Sequence, residues 1–299
     1  GLGDVYKRQD RNYYTDGLSS AQFAFSLICI NRGRTMFSQK HFKLFGCLGL
    51  VIIGVFLAPN FGVAQNVFTH VHLRVPDTVE AGNWYHAVFG GELREIGPGA
   101  AIRYHNGFVG TMDNEGGALP STGGVFNHIG IGVADVRAAV ETARKMGATI
   151  EEEPRQGVTA QTIAFIVDPW GIRFELLEDP QYPGINHVHM MTTEPDEMRN
   201  WFLDVFGGQD IPERGKGNFH TILYGNVWVH ISRSEEPTAP SRYRTADHIG
   251  FRVASLDEFT VLLEASGYEA YLRRPNPPGS DLIFLEGVGG IHVEVSEAR

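Results

Sequence analysis

Four segments of this chain open on a shared column. They are FTHVHLRVPD, FNHIGIGVAD, INHVHMMTTE and ADHIGFRVAS, with His70, His128, His187 and His248 aligned. Seven positions later stand Asp77, Asp135, Glu194 and, in the fourth segment, Ser255. With twelve histidines in 299 residues, chance does not account for four in one column. The chain must therefore fold as one unit repeated four times. NWYHAVFGGEL (83–93) recurs as NWFLDVFGGQD (200–210), an offset of 117 that also separates His70 from His187. His128 and His248 are 120 apart, and Glu175 and Glu294 are 119 apart. Each half divides again, since 58 residues separate His70 from His128 and 61 separate His187 from His248. The result is four modules, expected to pair in chain order.

Each module has a readable order. The first strand alternates: Val71, Leu73 and Val75 share one face, and His70, His72 and Arg74 the other. Ile129, Ile131 and Val133 repeat the apolar set, as do Ile249, Phe251 and Val253. A helix follows, opened by cap-like pairs such as Asp77 with Glu80 and Ser255 with Glu258. It closes at glycine: Gly90-Gly91, Gly147, Gly207-Gly208 and Gly267. Two or three short strands complete the module, as at 163–167 and 172–177. The pattern is βαβββ, an α+β class. Gly-, Pro- and Ser-rich linkers lie at 114–125, 178–184 and 232–245. The apolar face of each lead strand should meet its helix, leaving the histidine face to line a concave cleft. Gly130, Gly132 and Gly250 on that face leave room for a ligand.

The segment before the repeats reads differently. Residues 1–35 precede the first methionine, Met36, show no sustained period, and read as a non-native or translated upstream segment. Residues 36–64 read as a signal peptide. Lys40, His41 and Lys43 are followed by a 15-residue apolar run (44–58) and by Gly62-Val63-Ala64 as a cleavage site. A spanning helix needs roughly 20 apolar residues, so export to the periplasm or medium is expected rather than membrane insertion. Cleavage would leave domains at 65–178 and 185–299. Both cysteines, Cys29 and Cys47, fall in the removed part, so stability must come from hydrophobic cores. After Gln65 there are 18 Lys and Arg against 32 Asp and Glu, which argues against nucleic acid or an anionic membrane as partner.

The closing strands supply carboxylates. DPWGIRFELLE places Arg173 and Glu175 on one face, and GGIHVEVSE does the same with His292 and Glu294. Each half thus offers two imidazoles and one carboxylate: His70, His128 and Glu175, then His187, His248 and Glu294. That donor set suits a divalent cation such as Fe(II), Mn(II), Zn(II) or Ni(II), able to polarise two vicinal oxygens of a small-molecule substrate. His72 and His189, two residues along the same face, are candidates for acid/base work or for further ligands. Arg74 and Arg252 would either hold an anionic group or form a solvated rim. Trp84 and Trp201 read as core.

With these motifs the chain resembles the vicinal-oxygen-chelate superfamily of glyoxalases, bleomycin-resistance proteins and extradiol dioxygenases. The resemblance covers residues 67–297. It rests on the strand-leading histidines, the VFGG helix ends and the DPWGIRFEL return. It implies paired βαβββ modules forming two open, barrel-like, glyoxalase-like domains with metal inside. It also implies ligand columns at His70, His128, Glu175, His187, His248 and Glu294. Glyoxalase-type members take a further ligand from the odd modules, where the comparable positions are Thr111 and His230. His230 is therefore added, in a set with His187, His248 and Glu294. The extradiol signature has a Tyr before Asp-Pro, and this chain has Phe165 before Asp168-Pro169. Lyase or isomerase chemistry is thus expected over ring cleavage. Glutathione fits an exported protein poorly, because its pool is cytosolic. The alternative is a metal-independent binding or resistance protein on the same scaffold.

Overall fold

Alternation in the lead strands is real. Val71, Leu73, Val75, Ile129, Ile131, Ile249 and Phe251 are fully buried, and each lies on the face turned to a helix. The computed structural model describes residues 66–298 except 98, 115–116 and 277–279. The expected upstream segment, signal peptide, cleavage site and both cysteines lie outside the described residues. Among the described residues no helix is long and apolar enough to cross a membrane.

Four βαβββ modules follow one another. Module 1 comprises β1 (Val67–Val75), α1 (Thr78–Phe89), β2 (Glu92–Ile96), β3 (Gly99–Tyr104) and β4 (Gly107–Asp113). Module 2 comprises β5 (Phe126–Gly132), α2 (Val136–Lys145), β6 (Thr149–Gln156), β7 (Thr162–Val167) and β8 (Arg173–Leu177). Module 3 comprises β9 (Gly184–Thr192), α3 (Pro195–Phe206), β10 (Gln209–Asp210), a short α4 (Pro212–Gly215), β11 (His220–Tyr224) and β12 (Val227–Arg233). Module 4 comprises β13 (Ala246–Val253), α5 (Leu256–Ala265), β14 (Ala270–Asn276), β15 (Ser280–Glu286) and β16 (His292–Glu297).

The acidic column marks helix starts. Asp77 accepts from the N–H groups of Val79 and Glu80, Asp135 from Ala138, and Ser255 from Glu258. Each satisfies N–H groups that the first helical turn leaves open. Glu194 makes no side-chain cap, and Pro195 at the start of α3 removes one of the open donors instead. At the other end, α1 and α3 stop at Gly90 and Gly207, with φ of 72° and 70°. That backbone conformation favours glycine.

Among the described residues sixteen strands form two eight-stranded mixed sheets, ordered β14-β15-β16-β13-β1-β4-β3-β2 and β10-β11-β12-β9-β5-β8-β7-β6. The expected fold class of four paired βαβββ modules holds, but the partners differ from chain order. Module 1 shares its sheet with module 4, through antiparallel β1 and β13, and module 2 shares its sheet with module 3, through β5 and β9. The pairings expected within 65–178 and within 185–299 are therefore replaced.

Connection length gives the reason. Six residues separate β8 from β9, which stay in one sheet, whereas twelve separate β4 from β5 and twelve separate β12 from β13. The two longer connections cross between sheets side by side, bridged at Leu119–Arg244 and Gly124–Ala239. Modules 1 and 2, and modules 3 and 4, instead meet through their helix sides. Phe89 of α1 lies 4.8 Å from Phe174 of β8, and the Tyr85 hydroxyl donates to Asp168 at 2.7 Å. In the other half Phe206 of α3 stacks on Phe251 of β13 at 4.2 Å. Burying such aromatic pairs supplies the main cohesion of the core, about 1.5–3 kcal/mol per large side chain. Trp84 and Trp201 belong to this core, as expected.

Candidate metal centres

Two clusters of imidazole and carboxylate result, one on each sheet. Between modules 1 and 4, Glu294 lies 3.7 Å from His70 Nε2 and 3.5 Å from His248 Nε2. His72 Nδ1 is 2.8 Å from His248 Nε2. One donor atom from each of His70, His72, His248 and Glu294 lies within 4.8 Å of the others. Between modules 2 and 3, Glu175 Oε2 lies 3.3 Å from His128 Nε2 and 3.2 Å from His187 Nε2. These two nitrogens are 3.3 Å apart. His189 joins His128 and His187 within 4.8 Å.

All six expected ligands are thus in clusters, but regrouped. His70 sits with His248 and Glu294, not with His128 and Glu175. His187 sits with His128 and Glu175, not with His248 and Glu294. The cause is the sheet pairing, which sets β1 against β13 and β5 against β9. His230 likewise leaves the set proposed with His248 and Glu294. It stacks on His187 at 4.3 Å between ring centroids. Strand register also corrects its counterpart in module 1. His189 pairs with His230 as His72 pairs with Gly110, so the matching position is Gly110 and not Thr111. The Thr111 hydroxyl is engaged by the backbone of Ala100 and Thr78.

A second layer of the site went unread in the sequence. The residue before each column histidine holds that ring's Nδ1. Thr69 Oγ1 is 3.0 Å from His70, Asn127 Oδ1 2.9 Å from His128, Asn186 Oδ1 3.0 Å from His187, and Asp247 Oδ1 2.6 Å from His248. Adjacent residues on a regular strand point to opposite faces, so this contact needs an irregularity. Every lead strand has one. Ladder register skips Thr69, Asn127, Asn186 and Asp247, each an extra residue in a β-bulge. The bulge turns a polar side chain toward its neighbouring imidazole. The available signal was a polar residue, T, N, N or D, in the column before His.

The surrounding hydrogen bonds set the direction of these contacts. Asn127 Oδ1 also accepts from Arg173, and the Asn186 amide nitrogen donates to Asp179 and to the Tyr182 carbonyl. Both amide oxygens therefore accept from Nδ1–H and leave Nε2 as the free lone pair in the cleft. Asp247 is further held by Arg74 at 2.6 Å and by His292 at 3.1 Å. Arg74 is thereby committed to Asp247 rather than to a substrate.

Burial dominates the electrostatics. It pushes His70 and His128 down to about 4, with Glu294 and Glu175 opposing. It lowers His72, His189 and His230 well below 6.5, so they are neutral bases at neutral pH. Burial also disfavours Glu294 ionisation, but His248 and His70 outweigh it and hold the carboxyl at about 2. Glu175 is likewise lowered, by His128 and His187 against burial. His248 is the exception: Asp247 and Glu294 overcome burial and raise it to about 9.

The donor set can be tested for a metal on the structure's own terms. His70 Nε2 and His230 Nε2 are buried without a hydrogen-bond partner. An unmet buried nitrogen is costly, and a cation removes that cost. Imidazoles with Nδ1 tied down, beside an ionised carboxylate, fit a divalent transition metal, for which His248 would give up its Nε2 proton.

Comparison with known proteins bears on the family and the fold. The family model described as the Glyoxalase/Bleomycin resistance protein/Dioxygenase superfamily matches residues 67–176. A probable lactoylglutathione lyase of Vibrio parahaemolyticus is 31% identical over 125 residues, covering 38% of this chain and 90% of that protein. This chain belongs to the glyoxalase/bleomycin resistance protein/dioxygenase superfamily. Within the superfamily, a probable chloroplastic lactoylglutathione lyase of Arabidopsis thaliana is 33% identical over 223 residues, 63% of each protein. Glyoxalase I of Zea mays has a similar fold, with a TM-score of 0.63 at 17% identity over 78% of this chain and 92% of that one. A putative dioxygenase of Bacillus subtilis reaches 0.58 at 15% identity over 77% and 84%. At such identities these structures speak for the fold alone.

Proposed function

We propose that this protein is a divalent-metal-dependent lyase or isomerase acting on a small molecule with vicinal oxygens. One observation carries the proposal. Each sheet brings two imidazole Nε2 atoms to within 3.7 Å of a glutamate oxygen, with Nδ1 of every column histidine held from behind. Relatives named as lactoylglutathione lyases support lyase chemistry over ring cleavage.

His70, His248 and Glu294 would hold one ion, and His128, His187 and Glu175 the other. When bound, the ion supplies Lewis acidity toward adjacent oxygens. His72 stands at the cleft wall with a neutral ring, so a ring nitrogen is available to accept a proton from the substrate. His189 is its counterpart in the second centre. Two apolar walls, half-buried Phe108 stacked on His70 and buried Phe165 edge-on to His128, limit water around the donors.

Elemental analysis of protein purified without chelator tests this reading, beside Glu175→Ala and Glu294→Ala. About one ion per intact centre is expected, each variant losing one. Less than about a tenth of an equivalent in wild type, with thermal stability indifferent to EDTA, would favour the metal-independent binding protein. Lactoylglutathione, the compound in the relatives' names, is the first substrate to assay. Export to the periplasm or medium remains part of the proposal, tested by N-terminal sequencing of the cell-derived protein for a start at Gln65.

A further inference from the structure

Resting on the metal-dependent reading, we infer that the two centres divide the work. The centre between modules 1 and 4 takes the substrate. The centre between modules 2 and 3 is closed to it and holds its ion as part of the fold.

Matching hairpins differ at three positions facing the donors. Ala101 pairs with Gly110 in module 1, as Thr221 pairs with His230 in module 3. Two residues back along the same face, Gly99 therefore corresponds to Phe219. Gly99, Ala101 and Gly110 are thus exchanged for Phe219, Thr221 and His230. The small set leaves a cavity of about 430 Å³, lined by His72, Gly99, Thr111, His248, Arg274 and Glu294 among others. The large set fills the matching space. The Phe219 ring lies 4.8 Å from His230 and 5.3 Å from His189.

Neither glycine tolerates a side chain. A Cβ on Gly99 would stand 2.3 Å from the Thr111 carbonyl oxygen, and one on Gly110 would stand 2.6 Å from His72. Gly110 thus leaves His72 its place at the cavity wall. In the other sheet His230 occupies that corner, buried and stacked on His187, with Nε2 unpartnered. His189 Nε2 is 2.7 Å from the Ser232 hydroxyl. His128, His187 and Glu175 therefore lie beneath the stacked ring of His230 and the Phe219 ring. Sites that take substrate keep an open position, and here that position is filled by side chains, as in structural sites. The ligand class for the open centre is a small bidentate oxygen chelator that fits the cavity.

Cobalt(II) loading followed by titration with acetohydroxamate separates the two centres by visible absorption. Glu175→Ala, which keeps the module 1/4 centre, should bind cobalt and change its spectrum with acetohydroxamate. Glu294→Ala, which keeps the other centre, should bind cobalt and respond at least about tenfold more weakly. Adding Phe219→Ala to Glu294→Ala should restore a response. In otherwise wild-type protein, Phe219→Ala alone should add a second responding ion, which guards against poor folding of the glutamate variants. Equal responses in the two glutamate variants, or a response confined to Glu294→Ala, would overturn the division while leaving metal dependence intact. Failure of every form to bind cobalt would overturn both.

Discussion

Asp168 closes the turn between β7 and β8, accepting from the N–H groups of Trp170 and Ile172 while Tyr85 of α1 donates to it from the neighbouring module. Burial raises its carboxyl from 3.8 to about 6, against the pull of those hydrogen bonds. The folded state therefore binds more protons than the unfolded state between these values. Stability contributed by this group is largest below the unfolded value and is lost as pH rises through the folded one. Asp168→Asn should flatten that slope, with urea-derived stability differing from wild type by about 1–3 kcal/mol between pH 4 and 7. An unchanged profile would mean that other groups set it. The bulge residues give a second prediction. Asn127→Ala or Asn186→Ala should weaken metal binding at the module 2/3 centre about 10–100-fold, read by competition with a chromophoric chelator. The module 1/4 centre should not change.

Helix starts in this chain are built in two ways, and they should respond differently to truncation. Asp135 accepts from the Ala138 N–H at 3.0 Å, so Asp135→Ala should cost about 1 kcal/mol in chemical denaturation. Glu194 occupies the same column without a capping bond, because Pro195 begins the helix. Glu194→Ala should stay within about 0.5 kcal/mol of wild type. Equal losses would show that the column matters for its charge rather than for its hydrogen bond. The lead strands carry two loads on opposite faces. β13 presents Phe251 to the aromatic core and His248 to the cleft. The bulge lets both faces be served while a third residue, Asp247, supports the histidine.

Complete centres exist here because module 1 shares a sheet with module 4, and module 2 with module 3. A fragment of residues 65–178 would expose the edges of β1 and β5 that β13 and β9 cover in the whole chain. Open edges of this kind recruit another strand. The fragment should therefore form a dimer, measured by light scattering, in which β1 of one copy pairs with β5 of the other. Such a dimer would unite His70 with His128 and Glu175, the grouping that chain order suggests. A stable monomer at micromolar concentration would count against strand pairing as the force that joins modules.

Much of this architecture is written locally. Alternation in the lead strands, the capping column, the glycine stops and the six candidate ligand positions can all be read from residues a few positions apart, because strand and helix periods repeat over short distances. Two features cannot. A bulge shifts one residue without disturbing the apolar pattern, so the roles of Thr69, Asn127, Asn186 and Asp247 stay hidden in it. Module pairing is decided by contacts such as that between His72 and His248, 176 residues apart. Four lead strands with nearly the same pattern offer interchangeable edges, and their sequences do not say which edge meets which. Short and long connections, together with aromatic packing between the helix sides of adjacent modules, select one arrangement. That selection places Gly99 and Gly110 around one centre, and Phe219 and His230 around the other.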